Sequence, residues 1–330
     1  MKIAIAGAGF AGLSVAWHLA FHATKHHQIT VFDPHSFPGG ASSTAAGLVH
    51  PFSGKRGNLA KWGEEAFQAA LNLFEEAKKY QSQDFVLHRG MLRLAMTKEQ
   101  ELDYKNSALT HSHLRWFEKE ECRQHFPLLS PLPGLFVEKA LAIDPQLYLE
   151  ALKLGLKAKR VSFVDKSISD KEDLHSFDAA VIACGYKTCE LTHGFDIPFR
   201  FLKGQGFEFA LPNGVLPFKY AINGDLYAVM LRDQKRLFVG ATFERGNADP
   251  AADLEVAKEK IYPKLKAMIP SLAEQEPLAI RSHVRLTTAS HMPYVHRLEK
   301  NTWVFSGLGS KGLLYHAFLG KRLAGEIDSL

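Results

Sequence analysis

Lys2-Ile3-Ala4-Ile5-Ala6-Gly7-Ala8-Gly9-Phe10-Ala11-Gly12 decides how the rest of this chain is read. A short apolar run breaks directly into three glycines, and Leu13, Ala16, Trp17 and Ala20 then fall on one helical face. The pattern predicts a strand, a tight turn and a helix. Gly7 permits the turn, Gly9 lets a diphosphate approach the backbone, and Gly12 lets helix and strand pack closely. The diphosphate would rest on the positive end of the helix. Gln28-Ile29-Thr30-Val31-Phe32-Asp33 follows as a β-branched second strand, bounded by Pro34 and ending in an acid 21 residues after Gly12. A carboxylate there accepts hydrogen bonds from ribose hydroxyls, so the two features together predict a dinucleotide. The same acid would face a 2′-phosphate as a like charge, which argues against NADP. Spacing alone leaves FAD and NAD open; the position of the motif at the start of the chain, and a second glycine-rich stretch at 38–47, favour FAD.

At 330 residues the chain exceeds most single domains, and two lobes are expected, one for a cofactor and one for a substrate. A hydrophobic share of 46% and a charged share of 23% are those of an ordinary globular protein and exclude general disorder. No apolar run approaches the ~20 residues that span a bilayer, and the first one breaks at once into glycines, unlike a secretory leader. A cytoplasmic protein without a membrane span is expected. Cys122, Cys184 and Cys189 form neither a disulfide framework nor a CxxC pair, and His111-Ser112-His113 lacks further ligands nearby, so no metal is expected. The net charge of +5 and pI near 8.9 suit an anionic small substrate as well as RNA. Nothing in the sequence sets the oligomeric state.

Farther along, the spacing of Leu59, Trp62, Ala66, Ala69, Ala70, Leu73 and Ala77 predicts a long amphipathic helix from Asn58 to about Tyr80. Asp144-Pro145 predicts a helix running to about Lys157, with Asp as N-cap and Pro in the first turn. From Gln205 the pattern changes to short strands at Gly206–Leu211, Val215–Ile222, Tyr227–Leu231 and Leu237–Val239, separated by Pro212-Asn213-Gly214 and Asn223-Gly224-Asp225 turns. That reads as an antiparallel sheet. A helix at 251–268, a strand at 278–288, another at Trp303–Phe305, a glycine turn at 307–312 and a terminal helix to about Ile327 complete the chain.

Several further stretches carry a resemblance in order. These are Gly39-Gly40-Ala41-Ser42-Ser43-Thr44-Ala45-Ala46-Gly47-Leu48-Val49-His50-Pro51, then Arg89-Gly90-Met91-Leu92, Ala142-Ile143-Asp144-Pro145 and Ala180-Val181-Ile182-Ala183-Cys184-Gly185. Lys203-Gly204-Gln205-Gly206, Ser282-His283-Val284-Arg285-Leu286-Thr287, Met292-Pro293-Tyr294-Val295 and Ser306-Gly307-Leu308-Gly309-Ser310-Lys311-Gly312-Leu313 follow. Taken as an ordered set across essentially the whole chain, they resemble the D-amino acid oxidase superfamily of FAD-dependent oxidoreductases. That superfamily includes glycine oxidase, monomeric sarcosine oxidase and the FAD domain of the bifunctional tRNA wobble-uridine enzyme.

The resemblance implies an α/β (α+β) fold: a Rossmann-like FAD-binding lobe from 1–80, 140–200 and 280–330, and an antiparallel substrate lobe from 81–139 and 201–279. It implies cofactor contacts at Gly7, Gly9, Phe10, Ala11, Gly12, Asp33, Pro34, Ser42, Ser43, Ala45, Ala46, Gly47, Ile168, Ala183, Gly185, Gly307, Gly309, Ser310, Lys311, Gly312 and Leu313. In sarcosine-oxidase-like members a cysteine near the arginine strand tethers the flavin; no cysteine follows Cys189 here, so non-covalent FAD is expected. Arg285 is the expected carboxylate clamp, because its planar fork matches two oxygens and stays charged. Lys311 and the helix start behind it would face the flavin's pyrimidine edge, and His50 is the third candidate for flavin or substrate contact.

The implied reaction is oxidation of the C–N bond of a glycine, sarcosine or D-amino acid type substrate, by hydride transfer from the α-carbon to flavin N5, leaving an imine that hydrolyses. Two alternatives stand beside it. The Gly307–Gly312 turn is closer to that of the wobble-uridine enzyme, which implies a carboxymethylaminomethyl-uridine in tRNA as substrate. The chain also has Arg285-Leu286 where the family commonly has Arg-Pro, and Ser290 where it has an acid, which suggests a non-catalytic flavin-binding protein. Plain structural roles compete as well: an ion pair for Arg285, a solvated His before Pro51 for His50, and core packing for Tyr227, Tyr294 and Tyr315.

Overall fold

The computed structural model describes residues 1–34, 39–44, 46–54 and 56–330. Two sheets organise them. A six-stranded sheet runs in the order Tyr294–Glu299, Thr302–Ser306, Ala179–Ile182, Lys2–Ala6, Gln28–Phe32, Ser162–Val164. Every neighbouring pair is parallel except the first, which is antiparallel. Parallel strands need both faces covered, and the side-chain alternation of Lys2–Ala6 supplies this. Ile3 and Ile5 enter the core beneath the helices Phe10–Phe21, Gly63–Lys78, Pro145–Ala158 and Gly312–Asp328. Ala4 and Ala6 face a second cluster with Ile168, Leu174, Ile182 and Val304.

The second sheet has ten strands and is mainly antiparallel, with one parallel pairing between Val86–Leu94 and Ala221–Asn223. Its long strand Phe199–Ala210 pairs with Arg236–Gly240, Glu244–Arg245 and Ala279–Thr288. Phe207, Phe209, Leu237 and Val239 pack from this sheet onto Ala257, Ile261, Leu265 and Met268, the apolar stripe of helix Leu254–Met268. The fold is the expected one: a Rossmann-like α/β lobe and a mainly antiparallel second sheet.

Local chemistry explains where elements begin. Asp144 caps Pro145–Ala158 by accepting from the backbone amides of Gln146 and Leu147. The helix expected from Asn58 starts only at Gly63, because Leu59 bridges to Phe52 and Trp62 adopts a left-handed φ of 55°. The strand expected over Val215–Ile222 shrinks to Ala221–Asn223, since Pro217 cannot donate to a ladder. Segment 280–288, grouped by sequence with the cofactor lobe, runs in the ten-stranded sheet, where its alternation matches the partner strand along its whole length. Strand Gly134–Ile143 likewise belongs to that sheet and pairs with Leu48–Val49.

Candidate flavin and substrate site

Three glycines make the nucleotide cradle. Gly7 turns at φ 107°, and a Cβ there would lie 2.3 Å from the Ala183 carbonyl oxygen. A Cβ at Gly12 would lie 1.9 Å from the Gly7 carbonyl oxygen, so helix and turn touch only because neither has a side chain. Gly9 is the N-cap of helix Phe10–Phe21, offers no side-chain acceptor, and no acid follows in the first turn. Among the described residues the first-turn amides at Phe10, Ala11 and Gly12 therefore lie open for an anion apart from one contact, Phe10 N donating to Ser42 Oγ at 3.2 Å. Asp33 ends the second strand with its carboxylate fixed by the Ala8 amide at 2.8 Å. The cradle, the open amides and this acid fit the diphosphate and ribose of FAD. Pro34, next to it, is exposed.

The glycine-rich stretch after Gly39 forms a short helix, Gly40–Thr44, with Ser43 Oγ donating to the Gly40 carbonyl oxygen at 2.9 Å. Ala45 lies outside the described residues. Ala46 is half-buried, and Gly47 has φ 73° with no room for a side chain, its Cβ position falling 1.8 Å from the Ile143 carbonyl oxygen. Ala183 N donates to the Ala6 carbonyl oxygen at 2.7 Å, and the exposed Gly185 accepts from Ser306 Oγ at 3.2 Å. Ile168 is in the apolar cluster under the sheet.

The last helix brings the other half of the site. Gly307 and Gly309 have φ of 71° and 54°, and Gly309 N donates to the Leu286 carbonyl oxygen at 2.8 Å, which ties the glycine turn to the arginine strand. Ser310 is exposed, while the Leu313 side chain is buried in the helical core. A Cβ on Gly312 would approach the Phe10 ring at 3.4 Å, so the starts of the first and last helices converge. Phe10 itself points away from solvent, its ring 5.6 Å from that of His316. Neither helix start has a side-chain cap, in contrast to those capped by Thr97, Asp144 and Asp253. Lys311 Nζ donates to the His291 carbonyl oxygen at 3.3 Å, and partial burial lowers its pKa from the ordinary lysine value.

Arg285 lies on strand Ala279–Thr288 beside this turn. Its Nη2 is sealed from water and has no hydrogen-bond partner among the described residues. It lies flat over Gly204, where a Cβ would be 2.5 Å from Nη2, and the Phe243 ring faces the guanidinium at 5.4 Å. Burial lowers the Arg285 pKa and raises that of the neighbouring Tyr227 hydroxyl, while each group's field opposes the other's shift. Among the described residues Arg285 makes no structural ion pair; Arg281, on the same face, does, binding Glu208. The segments carrying Gly204 and Phe243 are fixed by a buried network in which Gln205 Nε2 and Thr242 Oγ1 both donate to Glu244 Oε1, at 2.9 and 2.7 Å.

His50 has a different set of neighbours. Burial, and then the Arg93 charge, push its pKa down to about 3, so the imidazole is neutral, and its Nδ1 is buried without a partner among the described residues. Arg93, 6% exposed, donates to the carbonyl oxygens of Phe52 at 2.9 Å and Gly54 at 2.5 Å and so holds the loop after His50. Sequence reasoning missed Arg93; the signal was a cation inside the apolar run Met91–Ala95. It also missed Phe243, for which no periodicity gave a signal. Among the described residues no group of three or more His, Cys, Asp or Glu is placed to hold a metal, and no helix is long and apolar enough to cross a membrane.

The family model described as FAD dependent oxidoreductase (DAO) matches residues 2–326. The uncharacterized oxidoreductase YurR of Bacillus subtilis (strain 168) is 25% identical, covering 97% of this chain and 93% of that protein. The bifunctional tRNA 5-methylaminomethyl-2-thiouridine biosynthesis protein MnmC of Caulobacter sp. (strain K31) is 28% identical over 100% of this chain, which spans only 55% of its length. Among solved structures, glycine oxidase from Geobacillus kaustophilus superposes with a TM-score of 0.84 at 20% identity, covering 99% of this chain and 95% of that one, a likeness of fold. With a family match over nearly its full length and a cradle that fits the cofactor, the chain belongs to the DAO family of FAD-dependent oxidoreductases.

Proposed function

We propose that this enzyme oxidises the C–N bond of a carboxylate-bearing amine of the glycine, sarcosine or D-amino acid type. The observation that carries this reading is Arg285, a buried cation whose Nη2 has no partner among the described residues and which Gly204 leaves free to lie flat. A buried donor left unpaired costs about 1–3 kcal/mol, which a carboxylate recovers on binding. When bound, FAD supplies the hydride acceptor. The open amides at Phe10–Gly12 and Asp33 would hold its diphosphate and ribose, and the uncapped start of helix Gly312–Asp328 with Lys311 would stabilise negative charge at its reactive end. Arg285 orients the α-carbon through the carboxylate, and Phe243 shields the guanidinium. His50 stays neutral and takes no proton from a substrate ammonium. The same arrangement speaks against a non-catalytic flavin scaffold, which has no use for a sealed, unpaired guanidinium. The test is anaerobic flavin reduction by a panel of amines in wild-type protein and Arg285→Met; bleaching by a carboxylate-bearing amine, lost in the variant, supports the reading, and equal rates for both sink it.

A second reading keeps the chemistry and moves the amine onto tRNA, as a carboxymethylaminomethyl-uridine. It is favoured by the Gly307–Gly312 turn and by bifunctional tRNA-modifying relatives at 26% and 28% identity. Flavin reduction by modified tRNA, with none by free amino acids, would select it.

A further inference from the structure

Helix Gly312–Asp328 begins at the turn assigned to the flavin. From its cap, Lys311, Tyr315, Phe318 and Arg322 recur at four-, three- and four-residue spacing, which lines them along one side of the helix. Lys311 Nζ is 6.0 Å from the Tyr315 ring and the Arg322 guanidinium 5.8 Å from that of Phe318. The loop before Gly63–Lys78 is fastened alongside: Tyr315 Oη donates to the Lys61 carbonyl oxygen at 2.8 Å, and the Trp62 ring meets Phe318 at 5.9 Å. Trp62 has φ 55°, a conformation that costs a bulky residue on the order of 1–2 kcal/mol, and the residue is 36% exposed. Lys61 Nζ and the Arg322 guanidinium stand 4.4 and 5.5 Å from that indole. Lys61, Lys321 and Arg322 are exposed, and none makes an ion pair among the described residues; the exposed acids nearest in sequence are Glu65, four residues after Lys61, and Glu326, four after Arg322, whose Oε1 is held by Trp303 Nε1 at 2.8 Å.

We propose that this stripe is a docking surface for single-stranded RNA, with a base stacked on Trp62 and phosphates on Lys61, Lys321 and Arg322. The proposal rests on the second reading above for the kind of polymer, and it names where that polymer sits. An aromatic face flanked by unpaired cations is the chemistry that holds a base and its backbone without reading sequence. An acidic peptide would use the cations and leave the outward indole without a purpose. Lys61 Nζ stands 4.4 Å from the ring centroid, so a base stacking on that face would displace this side chain toward the flanking phosphate. The stripe spans ~16 Å from Lys311 to Arg322, enough to guide a strand toward the flavin end of the helix.

The experiment is fluorescence anisotropy of a short labelled single-stranded RNA against the FAD-loaded full chain, with salt titration. The wild type should bind, with a log–log salt slope near −2 for about three phosphates. Trp62→Ala should weaken binding about tenfold or more at an unchanged slope, and Trp62→Phe should restore it. Lys61→Glu/Arg322→Glu should flatten the slope and abolish most binding. All variants should keep the flavin spectrum and whatever reduction by free amines the wild type shows, which separates this surface from the chemistry of the pocket. Binding unchanged in the Trp62→Ala and double charge variants, or poly-glutamate bound as tightly as RNA, overturns the proposal. RNA binding by a wild type that no amine reduces leaves the surface standing and overturns the amine reading instead.

Discussion

Arg285 and Gly204 form one device. A methyl group at 204 would fall 2.5 Å from Nη2 and 3.2 Å from Cζ of Arg285, so the guanidinium must leave its position. Gly204→Ala should therefore raise the half-saturating concentration of a carboxylate-bearing amine at least tenfold, with the visible flavin spectrum unchanged. Charge-assisted hydrogen bonds contribute ~1.5–3 kcal/mol, so Arg285→Met should cost on the order of 10- to 100-fold in the same titration. A variant that binds the amine as the wild type does would remove the carboxylate-clamp role. The sequence already pointed to Arg285, through its place before the glycine turn. It could not show Gly204 beneath it or Phe243 over it, because those contacts join strands far apart in the chain. His50 was also visible as a candidate, but its charged neighbour Arg93 was not, since a lone arginine in an apolar run reads equally as a strand edge.

The first and last helices are the elements that build the cofactor site, and the buried imidazole of His316 helps to lock the last of them. His316 receives a hydrogen bond from Tyr148 Oη at 2.6 Å and offers Nδ1 to the Leu313 carbonyl oxygen at 3.0 Å. Burial pushes the pKa of His316 down to about 3 and that of His18 down to about 4. Both are then neutral in the folded chain and protonated when unfolded below about 6.5, so the unfolded state binds more protons there. Stability is fully present above that pH and falls as the pH drops toward 4, by ~1.4 kcal/mol per pH unit for each imidazole. Denaturation midpoints measured between pH 7 and 4.5 should show this acid slope, and His316→Gln should reduce it; a flat profile would mean that these histidines titrate normally. At the start of the first helix, Gly12→Ala places a methyl 1.9 Å from the Gly7 carbonyl oxygen. The purified variant should be colourless. The helix start capped by Asp144 was readable, whereas the one capped by Asp253 was set at 251, no helix was expected behind the Thr97 cap, and the start at Asn58 was misjudged because the left-handed Trp62 delays that helix to Gly63.

At the scale of the whole molecule, a parallel sheet with helices supplies the nucleotide cradle, and a mainly antiparallel sheet supplies the arginine. They meet where Gly309 hydrogen-bonds to Leu286. The apolar run Lys2–Ala6 and the glycines behind it made the first strand and helix legible, because both signals are local. The second sheet's order was not legible, since Leu48–Val49, Gly134–Ile143 and Ala279–Thr288 find their partners across long stretches of chain. The most direct test of amine oxidation at this junction is the visible spectrum of the purified protein, followed under anaerobic conditions by glycine, sarcosine, D-amino acids and modified tRNA in turn. A yellow protein whose flavin band is bleached by at least one of these amines is the expected result. A protein that takes up no FAD, or a yellow one that none of them reduces, would contradict it.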